Sequence, residues 1–188
     1  MKFPEEIDHQ VDFLRFCRSF FPYLSPSLAG DTKFPTAPYY WNEGTRIVFE
    51  FSSPLTTDFI SHFNDLGHWI NQNFILRLFA VLESNGFISE NISLRTALEG
   101  HAEMDLLRRL RQKFAHGSGQ YDPADNEKKR LYDRLVGHFN LNPAEYPETA
   151  GKYPIPIDQV LIPIAERCRR YGLAVQQSPA GYQTQVPD

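Results

Sequence analysis

Two side chains of complementary chemistry stand close in the chain: Arg111 and His116, in the stretch Leu110-Arg111-Gln112-Lys113-Phe114-Ala115-His116-Gly117. An imidazole titrates near ~6.5 and can take or give a proton, while a guanidinium stays charged and forks onto phosphate oxygens. Together they suit metal-free cleavage of a ribose phosphodiester. That reaction must activate the 2′-OH, stabilise charge on a five-coordinate phosphorus and protonate the leaving 5′ oxygen. On an ideal helix at ~100° per residue the two groups lie ~140° apart, so a shared target requires the helix to loosen at its end, as Gly117 permits. Gln112 shares the face of His116 and can orient the imidazole or contact phosphate. One copy supplies one histidine where acid and base ask for two, so a homodimer is expected.

The surroundings are basic. Residues 106 to 134 carry eight Lys/Arg against four Asp/Glu, whereas residues 1 to 105 carry seven against fourteen. Arg108, Arg109, Arg111 and Lys113 end one expected helix, and Lys128, Lys129, Arg130 and Arg134 open the next. Antiparallel neighbours would gather them at one end, where Arg108, Lys113, Lys128, Lys129 and Arg130 can seat RNA in spite of a net charge of −4. A solvated charged face would have the same composition. Glu103 falls on the apolar stripe of Leu106, Leu110 and Phe114, either as a boundary acid or as a partner that positions Arg111. Asp105 lies on the Gln112/His116 face and can hold the imidazole or pair locally with Arg108 or Arg109.

No other chemistry competes. His62 and His68 are six apart, outside the separations that helical metal ligands favour, and read as structural. No metal and no cofactor is expected, since neither a ligand set nor a glycine-rich phosphate loop occurs. Cys17 and Cys168 lack ligand spacing or a His/Asn arrangement and read as reduced, buried thiols. Tyr39, Tyr40 and Trp41 are core or wrap residues, or a surface on which bases stack.

Helices must position these groups. Helical spacing is expected over Glu5 to Phe21, then over Leu55 to Glu83 with a cap at Thr57 or Asp58, a bend at Gly67 and a stop at Asn85-Gly86. A further helix should start at Ser93 or His101 and stop at Gly117-Ser118-Gly119. Another runs from the Asp122-Pro123 cap to Phe139, and a last one from Asp158, kinked by Pro163, to Gly172. Prolines from Pro22 to Pro54 predict an irregular wrap, with Arg46 to Phe51 extended.

Strand alternation is almost absent. The expected fold is all-α, an up-and-down bundle of about four main helices over residues 55–176. A helix and proline-rich wrap (1–54) precede it and a frayed tail (177–188) follows. At 188 residues, 41% hydrophobic and 22% charged, the chain can build a packed core, which excludes a wholly disordered or collagen-like class. Residues 1–10 hold three acids and no apolar run, and no stretch reaches ~18 apolar residues, so a soluble cytoplasmic protein with no membrane segment is expected.

The stretch Arg111-Gln112-Lys113-Phe114-Ala115-His116-Gly117 resembles the signature of the HEPN family (higher eukaryotes and prokaryotes nucleotide-binding), Arg-Asn-x-x-Ala-His-Gly in its commonest form. Gln112 departs from the usual Asn, Asp or His. Tyr121 stands too far from His116 for the His-x-Tyr extension of toxins paired with nucleotidyltransferase antitoxins, so that subgroup is disfavoured. The resemblance, over about Leu55 to Leu173, implies a small helical bundle and a metal-independent endoribonuclease whose dimer faces two motifs across one cleft. It implies catalytic roles for Arg111 and His116 assisted by Gln112, RNA as substrate, and a toxin or defence effector that an antitoxin protein can restrain. Two other readings stay open: a HEPN-like bundle that binds RNA, a nucleotide or a protein without catalysis, and an unrelated helical interaction protein.

Overall fold

The computed structural model describes residues 2–36, 47–116, 120–121, 124–142, 153–154 and 159–178. The fold is mainly α. Among the described residues five α-helices, α1 (Phe3–Phe20), α2 (Thr57–Ser84), α3 (His101–His116), α4 (Asn126–Phe139) and α5 (Leu161–Gln177), are accompanied by β1 (Lys33–Pro35), β2 (Val48–Glu50), β3 (Gln120–Tyr121) and β4 (Tyr153–Pro154). The strands form two short antiparallel ribbons, β1 with β2 and β3 with β4; β2 falls within the stretch Arg46 to Phe51 expected to be extended, whereas the other three strands lie where the sequence suggests none. Two or three residues per strand are too few for a period-two pattern to emerge. Contacts divide the chain into two compact units, residues 8–74 and residues 1–7 with 75–188.

In the unit of residues 8–74 the proline-rich segment is built on aromatic packing. Phe34 of β1 pairs with Phe49 of β2, stacks on Phe49 and Phe51 at 5.2 and 5.7 Å, and meets Phe63 edge-on at 5.5 Å. Leu24, Leu55 and Ile60 complete this core. Asn64 pins the segment by accepting from Leu24 N–H at 2.7 Å and donating to Leu24 C=O at 3.0 Å. The cap of α2 is Thr56, whose Oγ1 accepts from Phe59 N–H at 3.1 Å, one residue ahead of the expected position. The helix runs unbroken through Gly67. A Cβ there would stand 2.3 Å from Nη1 of the buried Arg18, so the missing side chain makes room for a guanidinium. Arg18 in turn lies 4.0 Å over the Tyr23 ring, whose hydroxyl is 2.7 Å from His68 Nδ1.

In the other unit α3 packs against both α4 and α5. Met104, Leu106, Leu107, Leu110 and Phe114 form its buried stripe, and Leu131, Leu135, Ile164, Ala165 and Cys168 are buried on the helices beside it. At the end of α2, Gly86 in the left-handed region closes the helix: its N–H bonds Glu83 C=O and the next N–H reaches Leu82 C=O. Three boundaries differ from expectation. The N-terminus of α4 is capped by Asp125, which accepts from Glu127 N–H at 3.0 Å, while Asp122 and Pro123 lie outside the described residues. Pro163 is the third residue of α5, where a missing N–H costs no helical hydrogen bond. Gly172 does not end α5; a Cβ there would meet the Phe3 ring at 2.5 Å, so this glycine serves close packing. Gly117 to Gly119, Tyr39 to Trp41, Arg46 and residues 179–188 are outside the described residues.

Gly100 sets the approach of α3 to α5. Its φ is +88°, and a Cβ would lie 2.4 Å from the carbonyl oxygen of Arg167. Gly86, at φ +74°, has nothing within 4 Å of the same position. Gly100→Ala therefore adds a backbone clash to the strain that both glycines relieve. We expect a loss of about 2–5 kcal/mol for Gly100→Ala and about 1–2 kcal/mol for Gly86→Ala in urea denaturation. Equal losses would show that the contact with α5 yields without cost.

Candidate nucleic-acid interface

The buried stripe of α3 dictates what its flanks present. Arg108 and Arg111 emerge on one side, Arg109 and Lys113 on the other, and Gln112 is exposed between them. Two clefts follow. The first, about 330 Å³, lies between α3 and α4 and is lined by Arg109, Gln112, Lys113, Glu127, Arg130, Leu131 and Arg134. The second, about 150 Å³, is lined by Phe79, Glu90, Arg108, Arg111 and Gln112. Gln112 borders both.

Carboxylates answer several of these cations. Asp105 accepts from Arg109 Nε at 3.2 Å and from Arg134 Nη1 at 2.5 Å. Burial pushes the Asp105 carboxyl up, but the hydrogen bonds and charges of Arg134 and Arg109 outweigh it and hold the group below its ordinary value. Lys113 Nζ donates to Glu127 at 2.6 Å, and that contact keeps the Glu127 carboxyl low. Four cations against Glu127 and the neighbouring Asp105 leave the α3–α4 cleft net positive; Arg130 lines it, whereas Lys129 is exposed on α4 but is not among its lining residues. Lys128 belongs to α4, but its side chain lies outside the described set.

Arg111 faces the second cleft. Its Nη1 donates to Glu90 Oε1 at 2.7 Å, and its guanidinium carbon lies 5.2 Å from the centroid of the Phe79 ring. Arg108 Nη2 donates to Ile92 C=O at 2.9 Å. His116 is exposed at the last residue of α3 and lines neither cleft. Because α3 is helical through His116, one copy of the chain does not bring the imidazole to the guanidinium.

Glu103, buried on the stripe, does not reach Arg111. It sits 2.9 Å from His138 Nε2 and 3.9 Å from Arg167 Nε. It also faces Cys168, whose thiol is pushed up by burial and, secondarily, by the charge of Glu103. Asp105 is likewise engaged with arginines rather than an imidazole. The Arg109 contact follows from i,i+4 spacing; Glu90, His138 and the Glu99 contacts with Arg167 and Arg170 join residues far apart in sequence and leave no local signal. Among the described residues no group of three or more His, Cys, Asp or Glu could hold a metal ion, and no helix is long and apolar enough to cross a membrane. In comparison with known proteins, no family model, no curated protein and no solved structure matches the chain.

A carboxyl held below its ordinary value stabilises the fold above that value, 3.8 for Asp105, and loses the contribution as the pH falls through the lower folded value. Asp105→Asn should therefore lower the urea midpoint at neutral pH, and the gap from the natural protein should close as the pH falls below about 4. A gap independent of pH would mean that the Arg109 and Arg134 contacts do not depend on the charge.

Proposed function

We propose that the chain is a metal-independent endoribonuclease of the HEPN type that works as a homodimer. The single observation supporting this is the continuous polar surface across α3. There Gln112 joins a net-positive α3–α4 cleft to a second cleft holding Arg111, and His116 is exposed one turn beyond. In this reading α2 to α5 form an up-and-down bundle. Arg108, Lys113 and Arg130, with Lys128 and Lys129, seat the RNA backbone.

His116 of one copy takes the proton of the ribose 2′-OH as the oxygen attacks phosphorus. Arg111 forks onto the non-bridging oxygens of the five-coordinate species, and the second copy's His116 protonates the departing 5′ oxygen. The products are a 2′,3′-cyclic phosphate and a 5′-hydroxyl. Gln112 orients the imidazole or contacts the phosphate, and Glu103 and Asp105 support the scaffold through His138, Arg167, Arg109 and Arg134. Such an activity suits the toxin or effector of a prokaryotic defence system, acting in the cytoplasm under the restraint of an antitoxin protein.

A second reading, RNA binding without cleavage, is favoured by one observation: the Arg111 guanidinium is tied to Glu90. One experiment separates the two. Single-stranded RNA incubated with the full chain in EDTA should be cut to fragments ending in a cyclic phosphate. His116→Ala and Arg111→Ala should each slow cutting by about 10²-fold or more. RNA that stays intact, yet binds with an affinity that falls with salt, would replace the nuclease by the binder. RNA neither bound nor cut would remove both.

A further inference from the structure

The second cleft holds two guanidiniums, Arg108 and Arg111, and one carboxylate, Glu90. Its volume, about 150 Å³, is about ten times what a single water needs, so it admits a group larger than solvent. Arg111 is supported from below by the face of Phe79, which keeps its plane in place whatever anion it meets. Arg108 is anchored by its bond to Ile92 C=O, while its Nε is buried without an acceptor among the described residues. A buried donor of this kind calls for an acceptor.

Glu90 is held in place by its own turn. Ser89 Oγ accepts from Asn91 and Ile92 N–H at 3.3 and 3.1 Å, and the adjacent Ile88 is fully buried, so the turn presents Glu90 to Arg111. The Glu90 side chain is itself 66% exposed. A carboxylate and a phosphodiester offer a guanidinium the same pair of oxygens and the same single negative charge. Exchange of one for the other leaves the charge of the cleft unchanged, and an exposed ion pair is weakly held.

We propose that this cleft is the seat of one backbone phosphate of RNA, and that Glu90 occupies the seat until the phosphate displaces it. The site rests on the reading that Arg111 serves RNA, and it adds the competitor that sets how readily Arg111 is released. On binding, Glu90 swings to solvent, Arg111 transfers its Nη1 hydrogen bond to a phosphate oxygen, and Arg108 closes on the same group.

The test is a double-mutant cycle on the full chain, read as binding of a fluorescent all-2′-deoxy oligonucleotide, which cannot undergo 2′-OH attack. Glu90→Gln should tighten binding by about two- to fivefold. Arg111→Gln should weaken it, and Glu90→Gln should have no effect in the Arg111→Gln background. Equal tightening in both backgrounds would show a general charge effect and overturn the proposal, as would no change in either. Failure of the nuclease reading looks different: the cycle closes as described while RNA stays uncut. Cleaved RNA with an inert Glu90→Gln overturns the phosphate seat alone, and a chain that binds neither RNA nor the deoxy oligonucleotide overturns both.

Discussion

Everything around the candidate site depends on burial of one helical stripe. Met104, Leu106, Leu107 and Leu110 are fully enclosed and Phe114 nearly so, with α4 and α5 packed against the helix that carries them. Each such side chain contributes about 1.5–3 kcal/mol, against about 0–1 kcal/mol for an exposed ion pair. The stripe therefore fixes the rotation of α3, and the ion pairs adjust only the flanks. With that rotation set, Arg111 must face Glu90 and Phe79, Arg109 and Lys113 must face α4, and Gln112 must stand between them.

This geometry constrains function more than the motif does. Within one chain the helix keeps Arg111 and His116 on different sides, which is why the proposed reaction calls on a second copy. Arg111 is also engaged already by a carboxylate from the segment joining α2 to α3. Carboxylates hold Lys113, Arg109 and Arg134 in the same manner. On the proposed reading, a polyanion arriving at this face would compete with these internal partners, and its affinity would depend on how weakly they are held as much as on the number of cations.

Much of this was legible in the sequence where the signal was local. Helical spacing marked α1, α2 and α3 within a few residues, and i,i+4 spacing anticipated the Asp105–Arg109 contact. The failures were non-local or steric. Gly172 read as a stop because the sequence does not reveal that the Phe3 ring will fill the space beside it. Asp122-Pro123 read as a cap because Asp125, three residues on, offers the same chemistry without the proline. Glu90, His138 and Arg134 reach their partners across 21, 35 and 29 residues, beyond any periodicity. Of the short strands, β2 falls within the stretch Arg46 to Phe51 that reads as extended, whereas β1, β3 and β4 are too short to register; the aromatic core around Phe34 sets the pairing of β1 with β2.

In the proposed reaction two copies of the chain bring Arg111 and His116 to one phosphodiester. A crystal structure of the full chain with a 2′-deoxy oligonucleotide tests it most directly. The expected result is a symmetric pair with both imidazoles and the Arg111 fork within hydrogen-bond reach, about 3 Å, of the same phosphate. A single molecule with nucleic acid on another surface, or a pair whose His116 side chains stay in solvent far from Arg111, would contradict it.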